Sequence, residues 1–162
     1  PVLMVTLDAR FKLQKADGER GVEATDFYQS LFETALEPDE LLTDIEIPAL
    51  PTGTQTAFQE LSRRHGDYAM AGVAVRLQLD DGGVCEAAKL VYLNLGDVPM
   101  VATEAAKLLI GELVTDELIT AVSQLAAKHE IDPAHTIHAS VPYKRHLATV
   151  LTQRAIKQAL QI

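Results

Sequence analysis

The stretch Ala69-Met70-Ala71-Gly72-Val73-Ala74-Val75-Arg76-Leu77-Gln78-Leu79-Asp80-Asp81-Gly82-Gly83-Val84-Cys85-Glu86-Ala87-Ala88-Lys89-Leu90-Val91-Tyr92-Leu93-Asn94-Leu95 carries the decision about fold. It holds two apolar runs, Ala69 to Leu79 and Val84 to Leu95, joined by Asp80-Asp81-Gly82-Gly83, residues that suit a tight reversal. Just upstream, Thr56 to Arg64 reads as another strand, so three strands meander antiparallel. Downstream the apolar period becomes helical. Ala102, Ala105, Ala106, Leu109 and Ile110 recur at three and four before Gly111, a C-cap-like stop. Thr115-Asp116 then caps a second helix with Leu118, Ile119, Val122, Leu125 and Ala126, ending near Ile131-Asp132-Pro133. A third helix puts Tyr143, Leu147, Val150, Leu151 and Ile156 on one face and Lys144, Arg145, Arg154 and Lys157 largely on the other. Strands followed by helices predict an α+β fold, a three-stranded antiparallel sheet with a three-helix cluster.

Toward the N-terminus, Val2 to Leu7 is an unbroken apolar and β-branched run and reads as a strand. Phe11 and Leu13 alternate with Arg10, Lys12 and Gln14 in the next strand, and the Asp17-Gly18 turn returns the chain through Gly21-Val22-Glu23. Thr25 and Asp26 precede Phe27, Tyr28, Leu31, Phe32 and Leu36, which fit a short helix or an aromatic loop. Glu40 to Ile47 alternates as a half-buried strand. Pro48-Ala49-Leu50-Pro51-Thr52-Gly53-Thr54 has the composition of a stiff connector, so a boundary belongs there.

Composition removes several kinds of chemistry. The 162 residues carry 23 Asp and Glu against 14 Lys and Arg, a net charge of −9, and 48% are hydrophobic. These values suit a packed domain and disfavour a phosphate backbone as partner, since no local cluster of cations offsets the acidity. Without a long apolar run or a signal-like N-terminus, the expected location is cytoplasmic, with no membrane insertion. The single cysteine, Cys85, forms no internal disulfide and by itself holds neither an iron–sulfur cluster nor a structural zinc; a small buried hydrophobe is its plain reading. His135 and His138 stand three apart but lack a further ligand, and no glycine-rich nucleotide loop or nucleophile elbow is present.

The informative patch is Ser62-Arg63-Arg64-His65-Gly66-Asp67-Tyr68-Ala69. It interrupts apolar alternation with two cations, a glycine, an acid and an aromatic ring. Such a group has the means to cap a flat cofactor, with Tyr68 as stacking face, Asp67 as fixed acceptor or electrostatic element and Gly66 for close backbone approach; on composition alone a charged hairpin loop is the commoner reading.

Several motifs in fixed order carry a resemblance. They are Pro1-Val2-Leu3-Met4 and Leu7-Asp8-Ala9-Arg10, Asp26-Phe27, and Phe32-Glu33-Thr34-Ala35-Leu36-Glu37-Pro38-Asp39-Glu40-Leu41-Leu42. Ile45-Glu46-Ile47-Pro48, Ala57-Phe58 and Arg63 to Ala69 follow, then His138-Ala139-Ser140 and Tyr143-Lys144-Arg145-His146-Leu147. In these the sequence resembles the FAD-binding medium subunit of the molybdenum hydroxylases, particularly aerobic carbon monoxide dehydrogenase and the xanthine dehydrogenases. The resemblance implies that residues 1–48 are strands from the end of the second FAD-binding subdomain, 49–54 a linker, and 55–162 the flavoprotein C-terminal domain. It also implies that the glycine-rich loops holding the FAD pyrophosphate lie upstream of Pro1, so these residues alone are expected to retain FAD weakly or not at all.

Carried over by position, Leu41 and Leu42 match a strand entry packed near the flavin, and Asp67-Tyr68 matches the loop tip beside its ring. Gln59 and Glu60 stand where many relatives have a lysine, and they are candidate flavin contacts; a carboxylate there disfavours an anionic reduced flavin. No catalytic residue and no metal ligand is implied on this chain. The implied partners are an iron–sulfur small subunit with 2Fe-2S clusters and a molybdopterin large subunit, in a heterotrimer that dimerises. The resemblance further implies that electrons reach FAD through those clusters and leave for an external acceptor. The competing expectation is a non-catalytic α+β interaction or ligand-binding module without flavin.

Overall fold

A computed structural model describes residues 1–161. Its centre is an antiparallel sheet of β6 (Thr54–Ser62), β7 (Ala69–Leu79), β8 (Cys85–Leu93) and the short β9 (Met100–Val101), in that spatial order. The three long strands follow the expected meander. β9 is an addition, because Met100 and Val101 pair with Tyr92 and Val91 instead of starting a helix.

Alternation along these strands gives the sheet two differently used faces. Val73, Val75 and Leu77 of β7 and Leu90 and Tyr92 of β8 point into a core closed by α3 (Thr103–Lys107), α4 (Asp116–His129) and α5 (Val141–Leu160). Cys85 is buried in this same core. Thr115 caps α4 by accepting from the Leu118 N–H at 3.3 Å, and Ser140 caps α5 by accepting from the Tyr143 N–H at 3.3 Å. Gly111, at φ 83°, ends the turns after α3 in the left-handed conformation.

The buried stripe of α5 differs from the expected one. Leu147, Leu151 and Ile156 are buried as predicted, but so are Ala148, Ala155, Ala159 and, unexpectedly, Lys144. Small alanines let the helix sit close on the sheet and draw Lys144, in register with them at three- and four-residue steps, to the inside.

The other face of the sheet is partly covered by the N-terminal residues. Here one prediction is corrected: Val2–Thr6 forms a helix, α1, not a strand. A short apolar run does not by its period separate the two states. The helix buries Val2, Val5 and Thr6, and satisfies its own backbone, with the Thr6 hydroxyl donating to the Val2 carbonyl at 2.8 Å. It packs on β7 and β8 through a second core that includes Ala74, Val91, Phe11, Leu13 and Phe27. β1 (Arg10–Lys15) lies between β2 (Gly18–Glu23) and β5 (Leu41–Glu46) in a separate antiparallel sheet. The segment between them holds the short α2 (Ala24–Phe27) and the small hairpin β3 (Tyr28–Ser30) with β4 (Glu33–Thr34). Phe11 sits 4.3 Å from Phe27 and 5.9 Å from Tyr28, centroid to centroid, anchoring this segment. Residues 47–53 contain no helix or strand and lead from β5 to β6.

Candidate functional site

Antiparallel order puts the end of β6, the start of β7 and the end of β8 at one end of the central sheet. Two loops therefore meet there, residues 63–68 and residues 94–99. On the face that α1 covers, the row Ala74–Val91 lies beneath the second core, and the row Arg76–Lys89 is tied to Asp8. In the next row, Glu60–Gly72–Leu93, Leu93 still packs partly against the second core, and beyond it the face opens.

That opening is a groove of about 540 Å³. Leu31, Leu93, Val98, Pro99 and Tyr68 supply apolar walls, and Glu60, Asp67, Asn94 and Asp97 supply polar atoms. A Cβ on Gly72 would come within 3.1 Å of the Glu60 Cβ and 3.2 Å of a Leu93 methyl. The bare glycine thus keeps room for the two side chains that line the groove.

The 63–68 loop is built to hold its tip. Arg63 donates to Asp67 Oδ2 at 2.9 Å, the Asp67 N–H bonds the Arg64 carbonyl at 3.2 Å, and Gly66 takes φ 82°. Asp67 Oδ1 accepts only from the neighbouring Tyr68 N–H, at 3.2 Å, among the described residues. Tyr68 is 97% exposed and, among the described residues, its ring has no packing that would explain an aromatic side chain.

The opposite loop is anchored through Asn94, which ends β8 with φ 56° and donates its side-chain amide to the Ala69 carbonyl at 2.8 Å. Behind it, the Tyr92 hydroxyl shares a 2.7 Å hydrogen bond with Thr152 of α5, and burial pushes that phenol far above its ordinary pKa.

Of the six residues singled out from the sequence, the structure brings Glu60, Asp67 and Tyr68 together at this groove. Gln59 does not reach it. Strand alternation turns it to the helix side, where its amide donates to Gln158 of α5 at 2.5 Å. Leu41 and Leu42 also lie outside it, on β5, paired with Gln14 and Leu13. Sequence reasoning missed Leu31 and the whole 94–99 loop. The signal was present in Asn94-Leu95-Gly96-Asp97-Val98-Pro99, a run of turn-forming residues after a strand whose end lies beside the 63–68 loop in any antiparallel meander. Among the described residues no group of three or more potential metal ligands is found, and no helix is long and apolar enough to cross a membrane.

Comparison with known proteins adds a family frame. The model of the CO dehydrogenase flavoprotein C-terminal domain matches residues 56–159, and that of the FAD binding domain in molybdopterin dehydrogenase matches residues 1–50. The chain is 38% identical over 159 residues to the carbon monoxide dehydrogenase medium chain of Afipia carboxidovorans, covering 98% of this chain and 54% of that one. It is 34% identical over 160 residues to the 6-hydroxypseudooxynicotine dehydrogenase complex subunit alpha of Paenarthrobacter nicotinovorans, covering 99% and 54%. Among solved structures, carbon monoxide dehydrogenase from Hydrogenophaga pseudoflava, in a form lacking the Mo-pyranopterin moiety, superposes with a TM-score of 0.93 at 30% identity, over 99% of this chain and 55% of that one. The chain spans about half the length of the curated relatives it matches.

Proposed function

The chain belongs to the CO dehydrogenase flavoprotein family, the FAD-binding subunits of molybdenum hydroxylases, and on that premise we propose that its groove covers the ring end of FAD. The observation that carries this reading is the exposed Tyr68 ring, held by a tied loop at the edge of an apolar groove whose lining Glu60 and Leu93 side chains are given room by Gly72. A planar ring suits the space: apolar walls on one side, an aromatic face above, and Asp67 Oδ1 with capacity to accept a ring N–H. Among the described residues no Lys or Arg lines the groove, so its proposed share of the cofactor is the ring and not the diphosphate.

Flavin, when bound, supplies the electron-carrying chemistry. The chain's own residues exclude water from one ring face, orient the ring by Tyr68 and Asp67, and set a negative field through Glu60. In the proposed assembly, residues 1–48 are the closing part of an FAD-binding subdomain, 49–54 a linker and 55–162 the C-terminal domain; Ile162 itself lies outside the described residues. The flavin would take electrons from 2Fe-2S clusters of a small subunit, supplied in turn by a molybdopterin large subunit, and pass them to an external acceptor. A heterotrimer that dimerises is the assembly that fits this reading. Leu41 and Leu42 have no place in the ring contacts as the groove defines them.

The test is to purify the protein that carries these residues as it occurs natively and record its visible spectrum after FAD loading, beside Tyr68→Ala. Stoichiometric yellow flavin in the parent, with altered ring fluorescence in the variant, is the expected result. A colourless parent removes the flavin reading and favours an interaction module.

A further inference from the structure

Lys144 sits in an unusual place for a lysine. It is 2% exposed, although it lies in the first turn of α5, where the helix dipole is unfavourable to a cation. Among the described residues no carboxylate lies within salt-bridge distance of its ammonium. Among these residues the acceptor it reaches is the Asn94 carbonyl, at 3.4 Å. Burial lowers its pKa, as expected for an ammonium taken from water without a counter-charge. An alanine or leucine, like its stripe neighbours Ala148 and Leu151, would fill this position without those costs. Stability therefore does not account for a cation here.

Its partner is informative. Asn94 holds a left-handed backbone conformation, φ 56°, which asparagine tolerates better than most side chains. Its amide donates to the Ala69 carbonyl at 2.8 Å and, more weakly, to that of Met70 at 3.4 Å. Ala69 immediately follows Tyr68, and Asn94 itself lines the groove. A continuous path runs from the N-terminal turn of α5, through Lys144 Nζ to the Asn94 backbone, and through the Asn94 side chain to the residue behind the loop tip.

We propose that Lys144 and Asn94 are positioning residues: from inside α5 they fix the end of β8 against the start of β7, and so set the height of the Asp67–Tyr68 tip over the groove. The consequence for flavin rests on the ring-covering reading above; the consequence for the tip does not. The Arg63–Asp67 bond shapes the tip internally; among the described residues the Asn94 amide is the side-chain tie from its following strand to the facing loop, added to the β7–β8 ladder. Loss of that tie should let the ring of residue 68 move without unfolding the domain.

The test is run on the parent protein that carries these residues: they include no tryptophan, so Tyr68→Trp adds a single indole to this chain, read as the difference from the parent without it. In that background Asn94→Gly keeps the left-handed backbone accessible while deleting the amide, Lys144→Met deletes the ammonium at similar length, and Lys144→Arg keeps the charge. Expected is lower emission anisotropy of the introduced indole in Asn94→Gly and Lys144→Met with far-UV circular dichroism retained, and restoration toward the parent value in Lys144→Arg. In the flavin-loaded parent protein with Tyr68 intact, the first two should weaken FMN or FAD binding about three- to tenfold, the loss of a hydrogen bond's worth of positioning. Should Lys144→Met fail to fold, Asn94→Gly alone decides. Indole anisotropy unchanged in folded Asn94→Gly overturns the proposal, as does a fall in melting temperature with no change at residue 68. A parent that binds no flavin while the indole still responds supports the positioning path and overturns the ring-covering function.

Discussion

Tyr68 combines two properties that rarely coincide in a side chain kept for stability: near-complete exposure, and neighbours on both sides, Asp67 and Ala69, that are held by hydrogen bonds. Truncating an exposed ring removes little packing, so Tyr68→Ala should change unfolding free energy by less than about 0.5 kcal/mol. Its loss as a stacking face should weaken flavin binding about three- to tenfold, the range of an aromatic pair. Thermal melts and flavin fluorescence titrations on the same preparations separate these effects, and a lowered melt with an unchanged titration would take Tyr68 out of the site. In the proposed ring site Glu60 would act by charge. A carboxylate in contact range opposes negative charge added to a reduced ring, so Glu60→Gln should raise the two-electron potential by roughly 20 mV, the equivalent of about 1 kcal/mol. A spectroelectrochemical titration that finds no rise would place Glu60 too far from the ring to matter. Three of the six residues read from the sequence, Glu60, Asp67 and Tyr68, meet at the groove. The chemistry of Arg63 to Ala69 pointed at the tip, but Gln59 and Glu60 were paired as neighbours although alternation sends consecutive strand residues to opposite faces, as their partners Gln158 and Leu93's row show.

At the scale of elements, the segment after β4 is pinned to β2 by one clamp. Arg20 meets both carboxylate oxygens of Glu40, at 2.7 and 2.8 Å, and also donates to the Ala35 carbonyl at 2.6 Å. The Arg20 hydrogen bonds, joined by the Glu37 N–H and outweighing the opposing effect of burial, pull the Glu40 carboxyl from 4.5 down to about 2. A carboxylate whose pKa is depressed by folding stabilises the fold above its unfolded value and loses that contribution as pH falls through the folded one. Amide exchange over residues 35–40 should therefore accelerate as pH drops from about 4.5 toward 2, relative to the intrinsic rate, and Glu40→Gln should exchange fast throughout. Equal protection of parent and variant across that window would dismiss the clamp. Element types were read well where period and punctuation agreed, as in the long strands and in α4 with its Thr115 cap. They failed at Val2–Thr6, where five apolar-rich residues fit either state and the choice fell to tertiary packing. Lys144 escaped for a related reason: its charge suggested the outer face, whereas its register with Ala148 and Leu151 placed it inside.

For the molecule as a whole, the decisive feature is that two hydrophobic cores share one sheet. Val73, Val75 and Leu90 serve the helical side, while Ala74 and Val91 serve the N-terminal side, so the central strands carry apolar residues on both faces along much of their length. Charge pins the junction at one point. Asp8, in a left-handed conformation at φ 53°, accepts from Arg76 of β7 at 2.6 Å and from Lys89 of β8. Burial acts to raise its carboxyl, but the hydrogen bonds from Lys89 and Arg76 prevail and hold it below the ordinary value of 3.8. The contribution is therefore complete above about pH 4 and drains as pH falls through the lowered value. Asp8→Asn preserves shape and tolerates the same backbone conformation, so it isolates the charge. It leaves Arg76 and Lys89 adjacent without their shared counter-ion. With the pair partly solvent-screened, the expected cost is about 1–2 kcal/mol in unfolding free energy. Because only the N-terminal core depends on this tie, amide exchange should rise in α1 and β1 while α4 and α5 keep their protection, and raised salt should narrow the gap between parent and variant. Uniform loss of protection across both cores, or a variant as stable as the parent at low salt, would show that apolar contact through Ala74 and Val91 holds the two layers together without help from Asp8.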